Sequence, residues 1–281
     1  MTRTTVPQLV ARLFAPILKN RNTTMNSTPN LTPATSAKPT VVFVHGAWSD
    51  ASPFTHVRDL LAADGYTVVT FANPLRSLSG DTDYLSSFIE TRTSGPVVLV
   101  GHSYGGALIS AAAPRHPDVK ALVFLNAFVP AAGETLLELS SKAGPLDAGA
   151  LFDMAPFPGE HNVDLYLKPD AFAGGFANGL RDGDRDRYLA SQRPITYGAL
   201  SEAAAQDQAW TTLPSWYLAG NDDHSVAIST QLFMAERAGS RVVRVDAGHL
   251  AMVVEAHTVA ALIREAAAAT SGRRLAASRP L

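Results

Sequence analysis

One serine of the chain stands in a pattern typical of a nucleophile. Ser103 lies in the sequence GHSYGG (residues 101–106), after the apolar run VVLV (97–100) and before an alanine-rich stretch of helical pattern. Glycines on either side of a serine let the backbone turn sharply between a strand and a helix, which lifts the hydroxyl out of the sheet. A tight turn with an inert serine is the alternative. We predict that Ser103 attacks an acyl carbon.

The hydroxyl of Ser103 is a weak nucleophile at neutral pH and needs a base that a carboxylate holds in place. Of the eight histidines, His249 directly follows the last predicted strand, in the sequence DAGH (246–249). His45 and His102 belong to glycine motifs, where a role in stabilising a turn is favoured. We therefore predict that His249 is the base.

The carboxylate is expected at the end of another strand. The run WYLA (216–219) leads into GNDDHSV (220–226), so Asp222 and Asp223 both lie between the serine and the histidine in chain order. Spacing does not separate the two aspartates, and one of them could cap a helix or belong to the loop. A metal site formed by Asp222, Asp223 and His224 is a weaker alternative, because acyl-transfer chemistry accounts for these residues without a metal.

Backbone N–H groups that could bind an oxyanion are expected in two turns. The run VVFV (41–44) leads into HGAW (45–48), a glycine turn in which Ala47 can present its N–H. Tyr104, the residue after the nucleophile, would supply the second donor at the start of its helix. Trp48 either lines the substrate pocket or packs under an insertion at residues 133–205.

Short apolar runs that alternate with helical patterns must position these residues. The predicted strands are 41–44, 67–71, 97–100, 120–125, 215–219 and 241–245, and the predicted helices are 53–63, 81–91, 104–115, 228–238 and 250–268. Continuous apolar strands are typical of a sheet that helices cover on both faces. We predict an α/β fold with a mostly parallel sheet of about six strands. The segment 133–205, where the alternation stops, is expected to lie over the carboxyl ends of the strands.

Four motifs together resemble the α/β-hydrolase superfamily. They are HGAW (45–48), GHSYGG (101–106), GNDDHSV (220–226) and GH (248–249), in that order. Within the superfamily the chain is most similar to small bacterial hydrolases related to plant methylesterases and hydroxynitrile lyases, over roughly residues 38–269. The resemblance implies that the segment 133–205 is a helical cap. It also implies that the catalytic acid stands three residues after the strand-ending glycine, which selects Asp223.

The resemblance implies a serine hydrolase that cleaves a carboxylic ester or lactone through an acyl-enzyme, with no cofactor and no metal. The implied site comprises the triad Ser103, Asp223 and His249 and the oxyanion donors Ala47 and Tyr104. Plant hydroxynitrile lyases carry a lysine after the histidine, and Leu250 stands there, so lyase chemistry of that type is not expected. Non-hydrolytic use of the same triad, by another lyase, a cofactor-free perhydrolase or oxygenase, or a slow-turnover ligand receptor, is the alternative.

Apolar residues of the insertion favour an apolar substrate. Six of them are candidates for the pocket wall, although each could instead pack the core of the cap itself: Phe152, Met154, Phe157, Leu165, Phe172 and Phe176. We expect a small, largely apolar ester as the small-molecule partner.

Charge is distributed unevenly along the chain. Lys and Arg number 23 and Asp and Glu 25, but residues 1–49 hold five basic and no acidic residues, and residues 271–281 hold three basic and no acidic ones. The part between them carries a net charge of −10. This argues against nucleic-acid binding, because phosphates need clustered Lys and Arg. We expect this acidic body to disfavour anionic substrates.

The two ends are interpreted as extensions of a domain at residues 38–269. Residues 1–37 combine a basic amphipathic pattern with a linker rich in Thr, Asn, Ser and Pro, with Met25 as an alternative start, and residues 270–281 form a basic tail. The chain has no cysteine, and no run approaches the roughly 18 apolar residues of a membrane span. We expect a cytoplasmic protein, with N-terminal targeting or export as the alternative. The oligomeric state does not follow from the sequence.

Overall fold

The computed structural model describes residues 38–159 and 162–270. The predicted N-terminal extension and the predicted tail from residue 271 onward lie outside the described residues. In the part that is described, no helix is both long and apolar enough to cross a membrane.

Six strands form a parallel sheet at the centre of the domain. Its order is β2-β1-β3-β4-β8-β9, and every neighbouring pair is parallel. The predicted six-stranded sheet is therefore confirmed. The nine strands of the described residues are β1 (Thr40–Val44), β2 (Val68–Phe71), β3 (Val97–His102), β4 (Val119–Leu125), β5 (Phe152–Pro156), β6 (Val163–Leu167), β7 (Ile195–Thr196), β8 (Ser215–Gly220) and β9 (Arg241–Val245).

The helices connect these strands and cover the sheet. Those of the described residues are α1 (Thr55–Ala63), α2 (Leu78–Arg92), α3 (Tyr104–Ala112), α4 (Leu136–Ser140), α5 (Ala148–Leu151), α6 (Pro169–Ala171), α7 (Asp182–Ala190), α8 (Tyr197–Ser201), α9 (Ile228–Arg237), α10 (Ala251–Val254) and α11 (Ala256–Thr270). Short 3-10 turns lie at Ser52–Phe54, Ala113–Arg115, Ser141–Ala143 and Ala209–Thr211, and a π turn at Phe172–Phe176. The helix predicted over 250–268 is divided, because Glu255 adopts a non-helical conformation (φ −111°, ψ 32°).

Both faces of the sheet are covered by helices, as the continuous apolar strands predicted. In β1, Val42 and Val44 pack in one apolar core with residues of α2, α3 and α9. Val41 and Phe43, which point to the opposite face, pack in a second core with residues of α1 and α11. Alternate residues of one strand therefore belong to different cores, because successive side chains of a strand point to opposite faces.

The insertion between β4 and β8 holds α4 to α8 and a second, antiparallel sheet of β5, β6 and β7. The predicted helical cap therefore contains a small sheet as well as its helices. The sequence VDLYL (163–167) and the first three residues of FDMAP (152–156) alternate apolar and more polar residues. This period of two is typical of strands with one covered face.

Candidate active site

Ser103 occupies the sharp turn between β3 and α3. Its backbone has φ 52° and ψ −122°, a conformation that side-chain-bearing residues adopt only when their surroundings enforce it. The Ser103 N–H donates to the Leu125 carbonyl (3.3 Å), and the Ser103 carbonyl accepts from the N–H groups of Gly106 and Phe128 (both 3.0 Å). These three hydrogen bonds hold the strained turn at the carboxyl edge of the sheet.

Asp223 and His249 form a buried pair. His249 Nδ1 lies 2.8 Å from Asp223 Oδ2, and the two side chains are 1% and 0% exposed. A carboxylate only accepts, so Nδ1 carries the proton and Nε2 of the neutral ring keeps a lone pair. His249 Nε2 is buried without a hydrogen-bond partner among the described residues. His249 and Ser103 line the same cavity, so the ring is placed to accept a proton there.

The neighbouring aspartate has a different environment. Asp222 is exposed, and its Oδ1 lies 3.1 Å from His224 Nε2. His224 Nδ1 lies 2.9 Å from the Gly174 carbonyl in the insertion. The hydrogen bond to Gly174 raises the pKa of His224, and the Asp222 carboxylate adds to the rise. Among the described residues Asp222 makes no hydrogen bond to His249, so the geometry pairs His249 with Asp223.

The loop after β1 lies directly against the serine turn. A Cβ at Gly46 would stand 2.6 Å from Ser103 Cβ, so this close approach requires glycine. Ala47 and Tyr104 line the cavity together with Ser103. Within the described part of the chain, the backbone N–H groups of Ala47 and Tyr104 donate to no protein group. Both predicted donors therefore lie beside the serine with their N–H groups available.

Two buried histidines tie the surrounding loops together. His45 Nδ1 donates to the Gly46 carbonyl (2.9 Å), and His45 Nε2 accepts from the Asn73 N–H (3.1 Å). Burial lowers the pKa of His45 to about 4. His102 Nε2 donates to the carbonyl of His249 (3.1 Å), and burial lowers the pKa of His102 well below its ordinary value. Both rings are neutral at neutral pH, and their contacts agree with the predicted turn-stabilising role.

Trp48 both lines the cavity and packs against the insertion, so the two alternatives apply together. Its backbone is left-handed (φ 54°). The indole N–H donates to the Leu165 carbonyl in β6 (2.9 Å), and the ring stacks on Phe152 with centroids 5.6 Å apart. Trp48 therefore connects the insertion with the loop that contains Ala47.

The cavity beside Ser103 measures about 800 Å³ with its open mouth. Its wall is mostly apolar, and no Asp, Glu, Lys or Arg of the described residues lines it. Of the six apolar candidates predicted in the insertion, only Phe152 lines the wall. Met154 is exposed, whereas three others pack in the two cores: Leu165, Phe172 and Phe176. The wall instead includes aliphatic and aromatic residues that the sequence did not single out: Phe128, Leu137, Leu146, Leu151, Leu167, Leu200 and Val226.

Two buried amide side chains beside Asp223 were also not predicted from the sequence. Asn126 Nδ2 and Gln231 Nε2 lie 2.8 and 2.9 Å from Asp223 Oδ2. Neither residue belongs to a recognisable motif, and 97 and 8 residues separate them from Asp223. No group of three His, Asp or Glu side chains in the described ranges is placed to hold a metal ion.

Comparison with known proteins agrees with this geometry. The pattern of the alpha/beta hydrolase family matches residues 41–262. The chain belongs to this family. The resemblance to bacterial esterases and their plant relatives, predicted from the four motifs, is confirmed by the similarities that follow.

Three relatives come from bacteria and plants. A carbendazim hydrolyzing esterase of Nocardioides sp. (strain SG-4G) is 36% identical over 40% of this chain and 51% of its own length. Methylesterase 1 of Arabidopsis thaliana is 25% identical over 69% of this chain and 82% of its own. An alpha-hydroxynitrile lyase of the same plant is 37% identical over 32% and 40%. The chain thus spans about half the length of the first relative and less of the lyase.

The fold is shared with a solved structure. The crystal structure of polyneuridine aldehyde esterase superposes with a TM-score of 0.70 at 21% identity, over 82% of this chain and 99% of the other. At this identity the likeness shows the fold.

Proposed function

We propose that the protein is a carboxylic ester hydrolase in which Ser103, His249 and Asp223 act as a catalytic triad. The observation that carries the proposal is the buried His249–Asp223 pair, 2.8 Å apart, whose ring lines the same cavity as the strained serine. Membership of the alpha/beta hydrolase family and the esterases among the relatives support the same reaction class.

The proposed reaction proceeds through an acyl-enzyme. Ser103 Oγ attacks the ester carbonyl carbon while its proton passes to His249 Nε2. The N–H groups of Ala47 and Tyr104 bind the oxyanion of the tetrahedral intermediate. His249 then donates the proton to the leaving alkoxide, and the C–O bond breaks. In the second half, a water molecule gives a proton to His249 and attacks the acyl carbon, and the carboxylic acid leaves as Ser103 regains its proton.

The cavity favours small, largely apolar esters or lactones. Its wall carries no Asp, Glu, Lys or Arg among the described residues, and both ring nitrogens of His224, which lines it, are already bonded to Asp222 and to the Gly174 carbonyl. A charged group of the substrate would therefore lose its hydration without gaining a free partner. Leu250 follows His249, at the position where plant hydroxynitrile lyases carry a lysine, and this difference supports hydrolysis over lyase chemistry of that type.

The test is hydrolysis of p-nitrophenyl esters of increasing acyl length by the wild type and two serine variants. We expect Ser103→Ala to lower kcat by about a thousandfold or more. Ser140→Ala is the matched control, because Ser140 lines the same cavity but its hydroxyl donates to the Leu136 carbonyl. The control is expected to keep kcat within about threefold. Equal hydrolysis by Ser103→Ala and the wild type would refute the proposed nucleophile.

A further inference from the structure

Three donors converge on one oxygen of Asp223. Besides His249 Nδ1 at 2.8 Å, Asp223 Oδ2 accepts from Asn126 Nδ2 at 2.8 Å and from Gln231 Nε2 at 2.9 Å. Asn126 and Gln231 are both fully buried. Hydrogen bonds to an ionised group are stronger than those between neutral groups, so the two amides stabilise the charge of this carboxylate.

The orientation of both amides towards Asp223 leaves the oxygen of each amide without a hydrogen bond. Asn126 Oδ1 and Gln231 Oε1 are buried and have no hydrogen-bond partner among the described residues. An unpartnered buried oxygen destabilises the folded protein. The reverse orientation would set each amide oxygen against the carboxylate, which only accepts. The contact with Asp223 therefore helps to decide how both amides lie, together with a second acceptor for each nitrogen: the Val226 carbonyl for Gln231 Nε2 (2.7 Å) and the Gly248 carbonyl for Asn126 Nδ2 (3.4 Å).

The backbone around Asn126 is built to hold this side chain. Asn126 has φ 46°, and its N–H donates to the Leu218 carbonyl (2.9 Å). The Tyr217 hydroxyl bonds both the N–H and the carbonyl of Ala127, at 3.0 and 2.6 Å. A Cβ at Gly220 would stand 2.5 Å from Asn126 Nδ2, so only glycine leaves room for the amide.

We propose that Asn126 and Gln231 are positioning residues that hold Asp223 as an anion facing His249 and so set the pH at which His249 can act as a base. The role of His249 as a base rests on the proposed function. Neither amide residue lines the cavity, so both act through Asp223. When one of these N–H donors is removed, the negative charge of Asp223 is less stabilised, so the His249–Asp223 pair binds a proton more readily. The acid limb of the activity profile then moves to higher pH.

The other titratable groups that face the pair do not explain such a shift. From the serine turn, the His102 ring lies 4.6 Å from the His249 ring, and burial lowers the pKa of His102 well below its ordinary value. From β8, burial raises the pKa of Tyr217 well above its ordinary value. Both groups stay neutral over the pH range of the experiment. Asp222 and His224, on the same loop as Asp223, are exposed and pair with each other.

The test uses one variant at each amide. Gln231→Met keeps the length of the side chain without its N–H, and Asn126→Gly suits the left-handed backbone. We expect the acid limb of kcat to move upward by about 0.5 to 1 pH unit and kcat at neutral pH to fall about tenfold, with KM within about twofold. Gln208→Met is the matched control, because Gln208 is buried, donates to the Ala205 carbonyl and has an unpartnered Oε1, away from the cavity. In this control variant the acid limb of kcat should stay at the same pH as in the wild type.

A second measurement does not depend on ester hydrolysis. The ¹³Cε1 resonance of His249, followed by NMR against pH, should titrate at a higher pH in both amide variants than in the wild type. If kcat falls but neither the limb nor the resonance moves, the amides only support folding and the inference is wrong. If Ser103→Ala hydrolyses esters as well as the wild type, the proposed function fails, while the NMR titration still decides the role of the amides.

Discussion

The indole N–H of Trp48 donates to the carbonyl of Leu165, 2.9 Å away, and joins the loop after β1 to strand β6 of the insertion. A second contact lies on the other side of the same loop, where Arg193 Nη1 of the insertion is 3.3 Å from His45 Nε2. Ala47 lies between these two anchored residues. The insertion therefore holds the loop that supplies one of the proposed oxyanion donors.

We predict that Trp48→Phe lowers kcat by about tenfold to a hundredfold, because the phenyl ring keeps the stacking on Phe152 but cannot hold the loop through an N–H. The measurement is kcat and KM for several acyl lengths, and the loss should be similar for all of them. Trp210→Phe is the matched control, because the Trp210 indole also donates to a carbonyl, that of Pro130 (3.0 Å), but does not line the cavity. Equal losses in both variants would show that the effect is only one of stability.

The two aspartates should differ sharply in their effect on turnover. Asp223→Asn is expected to lower kcat by about a thousandfold to ten-thousandfold, because an amide can force the wrong tautomer on His249. Asp222→Asn should change kcat by less than about threefold, since Asp222 is exposed and contacts His224 and not His249. A larger loss in Asp222→Asn would reverse the proposed assignment.

His224 should make the stability of the protein depend on pH. Its pKa is raised above the ordinary 6.5 by its bond to the Gly174 carbonyl and by Asp222, because only the imidazolium can donate to both acceptors. The stabilisation is therefore complete below the ordinary pKa and is lost as the pH rises through the raised one. The side chain is 55% exposed, so we expect less than about 1 kcal/mol.

The measurement for His224 is the Tm of the wild type and His224→Gln between about pH 5 and about pH 9. The difference in Tm should shrink as the pH rises. His257→Gln is the control, since His257 is exposed and its side chain makes no hydrogen bond within the described residues. A difference in Tm that does not change with pH would contradict the prediction.

A negative charge on the acyl chain should slow hydrolysis. We expect kcat/KM for the p-nitrophenyl monoester of adipic acid to be about a hundredfold below that for 6-methylheptanoate, which has a similar shape. The cavity wall is mostly apolar, and both ring nitrogens of its His224 are already bonded, to Asp222 and to the Gly174 carbonyl. Raising the salt from about 0.02 M to about 0.5 M should narrow the gap severalfold, since the acidic body contributes a field that ions screen. Equal rates for both esters would show that the apolar wall does not discriminate against a carboxylate on the acyl chain.

Much of the fold could be predicted from the sequence because its strands are continuous apolar runs. The strand predicted over 41–44 is β1 (Thr40–Val44), and that predicted over 97–100 forms the first part of β3 (Val97–His102). The strands of the insertion could not be distinguished in this way. They are short and mix charged residues into their pattern, and β7 has only two residues.

The candidate site was predictable where one motif holds the whole turn, as around Ser103. Asp223 and Asp222 are adjacent and equally polar, so residue type and spacing did not separate them. The family resemblance selected Asp223, and the contact with His249 agrees with that choice. Asn126 and Gln231 carry no local signal. Asn126 directly follows β4 and reaches Asp223 because β4 and β8 are neighbours in the sheet. Gln231 lies in the first turn of α9 and reaches Asp223 from eight residues further along the chain.

The adjacency of β4 and β8 also makes the insertion separable. Because the two strands lie side by side, the chain leaves the sheet and re-enters it at neighbouring points. The two ends of the insertion are therefore close together. A segment from a relative could be grafted between these strands without changing the order of the sheet. Such a chimera would have to reproduce an acceptor for the Trp48 indole and a donor for His45, and it would then exchange one wall of the cavity while keeping the same chemistry.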